Sequence, residues 1–122
     1  MNLNLRKGLR FESLARQYLS ARGLRLMESN YRCRFGEIDL IMRDAQTLCF
    51  IEVRFRSSLD FGGASASITP AKQRRIIKAA LFYLSAHRQG LNQALRFDAL
   101  LIQQQDKGKL DYNWIQGAFY AE

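Results

Sequence analysis

Apolar residues recur three and four positions apart at Phe11, Leu14, Ala15, Tyr18 and Leu19, inside residues 8–22, and Gly23 follows them. That spacing lines up one apolar stripe on an amphipathic helix, and a glycine just past its end is a common C-terminal cap. The period then changes. Residues 24–31 alternate weakly, 36–42 alternate more clearly, and 47–55 are almost continuously apolar, which predicts three strands in a meander with 43–46 as the turn between the last two. Around Phe61-Gly62-Gly63, residues 56–68 turn to Ser, Gly and Ala, too polar for a core element and too long for a tight turn, so a mobile loop is expected there. Thr69-Pro70 supplies a hydroxyl N-cap and a proline at the first helical position. Ile76, Ile77, Ala80, Leu81 and Leu84 carry that second helix toward Gly90. Residues 95–102 and 110–115 read as two further strands around a polar hairpin loop, and no internal repeat appears. The order α-β-β-β-α-β-β predicts an α/β domain, a mixed sheet flanked by helices.

Two of the predicted strands carry acids where apolar residues would bury. On a strand alternate side chains share a face, so Glu37, Asp39 and Ile41 point one way, as do Leu48, Phe50, Glu52 and Arg54 on the next. If the two strands pair as a hairpin, Asp39 and Glu52 sit side by side. Buried carboxylates are costly unless a cation compensates them, and two at close range raise each other's pKa. Oxygen-only ligation with open positions suits Mg²⁺ or Mn²⁺. Arg54 adds a fixed positive charge to the same face.

Composition makes that acidic pair more telling. At 122 residues and 48% hydrophobic the chain is one domain, 1–122, with room for its own core and not for a second. Lys+Arg of 19 against Asp+Glu of 11 gives a formal charge of +8, which favours a polyanionic partner such as nucleic acid. Acids clustered inside a basic chain are what a metal-dependent site on a phosphate backbone needs. Lys72, Arg74, Arg75 and Lys78 on the second helix read either as a phosphate contact surface or as a solvated face. Cys33, Cys49 and His87 are too few for a structural zinc site or a disulfide scaffold, and both cysteines are expected reduced, Cys49 as a small core residue. The first residues lack the apolar run of a signal peptide, and no stretch approaches the roughly 18 apolar residues of a membrane span. A cytoplasmic protein without a membrane partner is the expectation; the oligomeric state stays open, a homodimer included.

The element order, with an acid in the first helix, an Asp in the second strand and Glu-x-basic in the third, resembles the restriction-endonuclease-like, or PD-(D/E)xK, nuclease superfamily. Within it the chain is similar to the YraN-like family of small bacterial proteins, on Phe11-Glu12, Asn30-Tyr31-Arg32, residues 36–41, residues 50–54, Phe61-Gly62, Lys72 and Arg96-Phe97-Asp98. The resemblance implies a restriction-endonuclease-like fold, with Asp39 and Glu52 as metal-binding carboxylates and Glu12 as a supporting acid. Arg54 stands where the superfamily pattern has lysine. An arginine stays protonated, so it supplies charge and hydrogen bonds and does not accept a proton. The other acids have plainer readings. Glu12 reads equally as an exposed helix residue, Glu37 is expected to pair with Arg32 or Arg34, and Asp98 with an arginine. His87 reads as a cap or surface residue.

These readings lead to a nucleic-acid-binding protein, with branched or single-stranded DNA as the expected partner, and to metal-dependent endonuclease chemistry like that of a Holliday-junction resolvase. The competing class is a catalytically silent nucleic-acid-binding module on the same fold. A third is a protein-interaction module using Phe61-Gly62-Gly63 together with Trp114, Phe119 and Tyr120.

Overall fold

A computed structural model describes residues 3–56, 68–87 and 93–121, with side chains from Arg10 onward. Eight elements follow in order: helix α1 (Leu3–Ala21), strands β1 (Arg25–Cys33), β2 (Gly36–Asp44) and β3 (Thr47–Arg56), helix α2 (Pro70–Ala86), strand β4 (Leu95–Gln104), a 3₁₀ turn (Asp106–Gly108) and strand β5 (Leu110–Phe119). The five strands form one sheet in the order β1-β2-β3-β4-β5. Neighbours run antiparallel except β3 and β4, which are parallel and joined through α2. The expected α/β architecture with a mixed sheet is therefore present. The expected loop at 56–68 lies, apart from its two end residues, outside the described residues; Arg56 ends β3 and Ile68 is buried.

Each face of the sheet is covered by one helix. Ala15 and Leu19 of α1 pack with Leu40, Met42, Cys49, Ile51, Leu100 and Ile102. Ile76, Ala79, Ala80, Tyr83 and Leu84 of α2 pack with Ile38, Ile41, Leu48, Phe50, Phe97 and Ala99 on the other side. The α1 stripe is the one read from the three-and-four spacing; the α2 stripe shares Ile76, Ala80 and Leu84 with the reading but is rotated about the helix, burying Ala79 and Tyr83 and leaving Leu81 exposed. A central strand covered on both faces must be apolar at nearly every position, and β4 is buried from Phe97 through Ile102.

The helix ends follow local chemistry. Gly23 adopts φ +97°, and the N–H groups of Gly23 and Leu24 donate to the carbonyls of Ser20 and Leu19, closing α1 with the expected glycine cap. α1 starts at Leu3, ahead of the apolar stripe, because the stripe marks the packed part of a helix and not its first turn. Thr69 Oγ1 accepts the Lys72 N–H at 3.2 Å, and Pro70 opens α2 as read. α2 stops at Ala86, short of Gly90, with His87 as its C-cap. β5 runs on to Phe119, four residues past the apolar alternation that suggested an end at Ile115.

Candidate active site

Asp39 and Glu52 are brought together by the β2–β3 hairpin. Its last backbone pair is Leu40 with Ile51, so one further step of the same register sets Asp39 opposite Glu52. The alternation of β2 breaks at this point. Leu40 and Met42 face α1, whereas Ile38, which a regular strand would place beside them, joins the core under α2. β2 thus leaves β3, and the Val53 N–H, beyond the end of the ladder, donates to Asp39 Oδ2 at 2.8 Å. The carboxylate takes the place of a strand carbonyl, which leaves its second oxygen for other chemistry.

Glu52 is the more buried of the two, with 7% of its surface exposed. It shares the α2 face with Phe50 by strand alternation, and Lys72 reaches it from the first turn of α2, Nζ to Oε1 at 2.6 Å. Burial, followed by the Glu52 charge, pushes the Asp39 carboxyl up to about 7; the Val53 N–H and the Lys72 ammonium pull in the other direction, and Glu37 adds a small upward push. The pair therefore carries one negative charge more readily than two. Arg54 follows two residues after Glu52 on the same strand and is half-buried.

The other site residues fall in three places. Glu12 accepts a hydrogen bond from Asn30 Nδ2 at 2.9 Å, so its carboxylate is engaged at β1, and the charges that shift Asp39 are those of Glu52, Lys72 and Glu37. Glu37 pairs with Arg32 at 3.2 Å in the open, and Asp98 pairs with Arg96, both as the sequence suggested. The four basic residues of α2 do not form one surface. Lys72 and Arg75 line an open groove of about 440 Å³ with Arg32, Cys33 and Glu37, beside the β1–β2 turn. That turn approaches α2 closely: Gly36 has φ +151°, and a Cβ there would meet Arg75 Cβ at 3.4 Å. Arg74 and Lys78 line a second groove, against the end of β5. Lys72, read from sequence as a phosphate contact, is foremost the counter-ion of Glu52.

Asp98 is the residue whose environment the sequence conveyed least. Fully buried, it accepts from Arg96 Nε at 2.9 Å, from Trp114 Nε1 at 3.0 Å and from the Gly117 N–H at 3.0 Å, while Arg96 also reaches Asp44 at 3.0 Å. Burial pulls the Arg96 pKa down, but its hydrogen bonds to Asp98 and Asp44 outweigh that and raise it. Burial and then the Asp98 charge push the Cys49 thiol up to about 11, and its full burial matches the small core residue expected from the sequence. With every acceptor position committed, Asp98 is a structural anchor.

Two carboxylates fit a hard divalent cation that completes its shell with water and phosphate oxygens, as Mg²⁺ commonly does. Among the described residues no group of three or more His, Cys, Asp or Glu side chains is gathered as a ready cage. Also among the described residues, no helix is long and apolar enough to cross a membrane.

Comparison with known proteins gives one consistent answer. The model of the family described as "Uncharacterised protein family UPF0102" matches residues 11–102, a span that contains Glu12, Asp39, Glu52, Arg54, Lys72 and Asp98. A UPF0102 protein of Nitrosococcus oceani is 51% identical over 116 residues, covering 95% of this chain and 93% of its own. One of Nitrosomonas europaea is 50% identical over 113 residues, covering 93% and 92%. A third, from Aeromonas hydrophila, is 48% identical over 114 residues, covering 93% and 84%. With the family model spanning most of the chain and relatives this similar along nearly their whole length, the chain belongs to the UPF0102 family.

Proposed function

We propose that the protein binds nucleic acid and hydrolyses its phosphodiester bonds at the Asp39–Glu52 pair, with branched or single-stranded DNA as substrate. The observation that carries this reading is the pairing of a buried carboxylate, Glu52, with a half-buried one, Asp39, at the point where β2 and β3 separate, on a chain of net charge +8. Asp39 and Glu52 would hold Mg²⁺ or Mn²⁺. When bound, the ion supplies Lewis acidity toward water and phosphate oxygens. Lys72 pairs with Glu52 and fixes its orientation, and the Val53 N–H fixes one oxygen of Asp39. Arg54 and Lys72 supply positive charge toward the phosphate as it gains charge in the transition state. Arg32 and Arg75 extend that field along the adjacent groove.

A second reading is a nucleic-acid-binding module on the same fold without the chemistry. It is favoured by the Lys72 ammonium, which already neutralises Glu52, and by arginine at position 54. The two are separated by incubating the protein with junction, flap and duplex DNA in Mg²⁺, Mn²⁺ and chelator, beside Glu52→Ala prepared identically. Metal-dependent cleavage by the native chain and none by the variant supports hydrolysis. Equal products from both are contaminating nuclease; if DNA binding persists in that case, the protein is a binding module.

A further inference from the structure

The second groove, of about 630 Å³, has features a solvated helix face does not need. Gln73, Arg74, Ile77 and Lys78 of α2 form one wall, and Phe119 and Tyr120 lie opposite. Arg74 and Lys78 are four residues apart, about 6 Å of helix rise. Ile77 and Phe119 give the groove an apolar floor. None of the described residues lining it is acidic.

Tyr120 is held in place from the interior. Between Phe97 and Ala99 of β4 the register of β5 moves from Phe119 to Ile115, so β5 carries two extra residues there. The bulge is pinned by the Gly117 N–H on buried Asp98, with Gly117 at φ +64°. Phe119 is thereby turned inward, stacked on Phe97 at 5.0 Å between ring centroids. The next residue must face out: Tyr120 is 75% exposed, with its hydroxyl lying over Gly117. An aromatic ring presented by a buried network, above an apolar floor and opposite two cations, has the makings of a stacking platform beside a phosphate track.

We infer that this groove binds an unpaired stretch of nucleic acid, with one base stacked on Tyr120 and the flanking phosphates on Arg74 and Lys78. The inference rests on the nucleic-acid reading above, narrows its ligand to an unpaired stretch and gives that stretch a place. A duplex offers phosphates to the two cations but keeps its base faces stacked internally, so only an unpaired segment uses the ring.

The test compares binding of a labelled oligothymidylate and a labelled hairpin duplex by fluorescence anisotropy, for the native chain, Tyr120→Ala, Tyr120→Trp and Arg74→Ala/Lys78→Ala. Tyr120→Ala is expected to weaken single-strand binding roughly tenfold and to leave duplex binding in place, while Tyr120→Trp retains both. The double alanine variant lowers the slope of log affinity against log salt by about 1.4 on the single strand. Because Tyr120→Ala touches the β5 bulge, ultraviolet crosslinking of the native protein to a 5-iodouridine oligonucleotide gives an independent readout. The crosslinked peptide is expected to contain Tyr120. Native-like single-strand affinity in Tyr120→Ala with crosslinks elsewhere overturns the inference and leaves the nucleic-acid reading standing; so does equal weakening on both probes, which makes the groove a general polyanion surface. A native chain that binds neither probe overturns both.

Discussion

Lys72 closes a 2.6 Å ion pair on Glu52 across the gap between α2 and β3, and its own backbone N–H is capped by Thr69. One residue thus couples the start of the helix to the acidic site. The ammonium reduces the cost of holding Glu52 and Asp39 together out of water, which neither carboxylate could do for the other.

Replacing Lys72 with methionine removes that compensation while keeping most of the side-chain volume. Breaking a fully buried pair costs about 3 to 5 kcal/mol. Lys72 is partly in water, with 38% of its side chain exposed, so the loss is expected nearer 2 kcal/mol. Denaturant unfolding in chelator measures it. Lys72→Arg should recover most of the stability; a methionine variant as stable as the native chain would mean that the pair contributes nothing to the fold.

Asp39 makes metal-free stability depend on pH in a direction opposite to that of most carboxylates. Its ordinary value is 3.8 and its folded value is about 7. Between these, the folded state binds more protons than the unfolded chain, so stability is fully present below about pH 4 and is lost as pH rises through 7. Asp39→Asn can still accept the Val53 N–H and carries no charge. It should be more stable than the native chain at pH 8 in chelator, by an amount of order 1 kcal/mol or more, and indistinguishable from it near pH 4. Adding Mn²⁺ at pH 8 should stabilise the native chain by roughly 3 kcal/mol at a hundredfold excess over Kd, and should leave Asp39→Asn unmoved. Melting curves across pH, with and without Mn²⁺, test both halves.

Asp98 gives the contrasting case of an acid whose removal the fold should not tolerate. Asp98→Ala leaves Arg96, the Trp114 indole N–H and the Gly117 N–H without their acceptor in the core, at a cost of about 4 kcal/mol. Trp114 is the single tryptophan, so its fluorescence should report the same event. A variant that melts like the native chain would remove Asp98 as the anchor of the β5 bulge.

What the sequence made legible was whatever one element dictates by itself. The stripe at Ala15 and Leu19 and the Thr69-Pro70 start are local patterns that appear as read, and the β2–β3 hairpin brings Asp39 toward Glu52 although the alternation of β2 breaks at Ile38. Lys72 was legible as a basic helix residue and not as the partner of Glu52, because that contact depends on how α2 packs across the sheet, twenty residues away in sequence. The splitting of Arg74 and Lys78 from Lys72 and Arg75 is a matter of helix periodicity, since 3.6 residues per turn set the two pairs on different sides of α2. Gly117 held the signal for the longer β5: a glycine inside an alternating strand marks a bulge, and its N–H explains why Asp98 is buried with Arg96.

Arg54 decides how the site works if it cleaves. Arginine side chains in general supply charge and hydrogen bonds and do not act as the base toward water. On that account Arg54→Lys should keep or raise Mn²⁺-dependent cleavage of branched DNA, since a lysine provides the same charge and also a titratable amine. Arg54→Ala should lower the cleavage rate roughly a hundredfold, the usual effect of removing one preorganised charge from a developing phosphate anion. Lys72 pairs with Glu52 and Arg54 lies two residues along β3 from it, so their losses should not add, and Arg54→Ala/Lys72→Met should fall short of the product of the single effects. Single-turnover rates on a junction substrate, with Glu52→Ala as the inactive reference, read all three. Full activity in Arg54→Ala would take the arginine out of the chemistry and leave Lys72 as the one cation acting on the phosphate at the carboxylate pair.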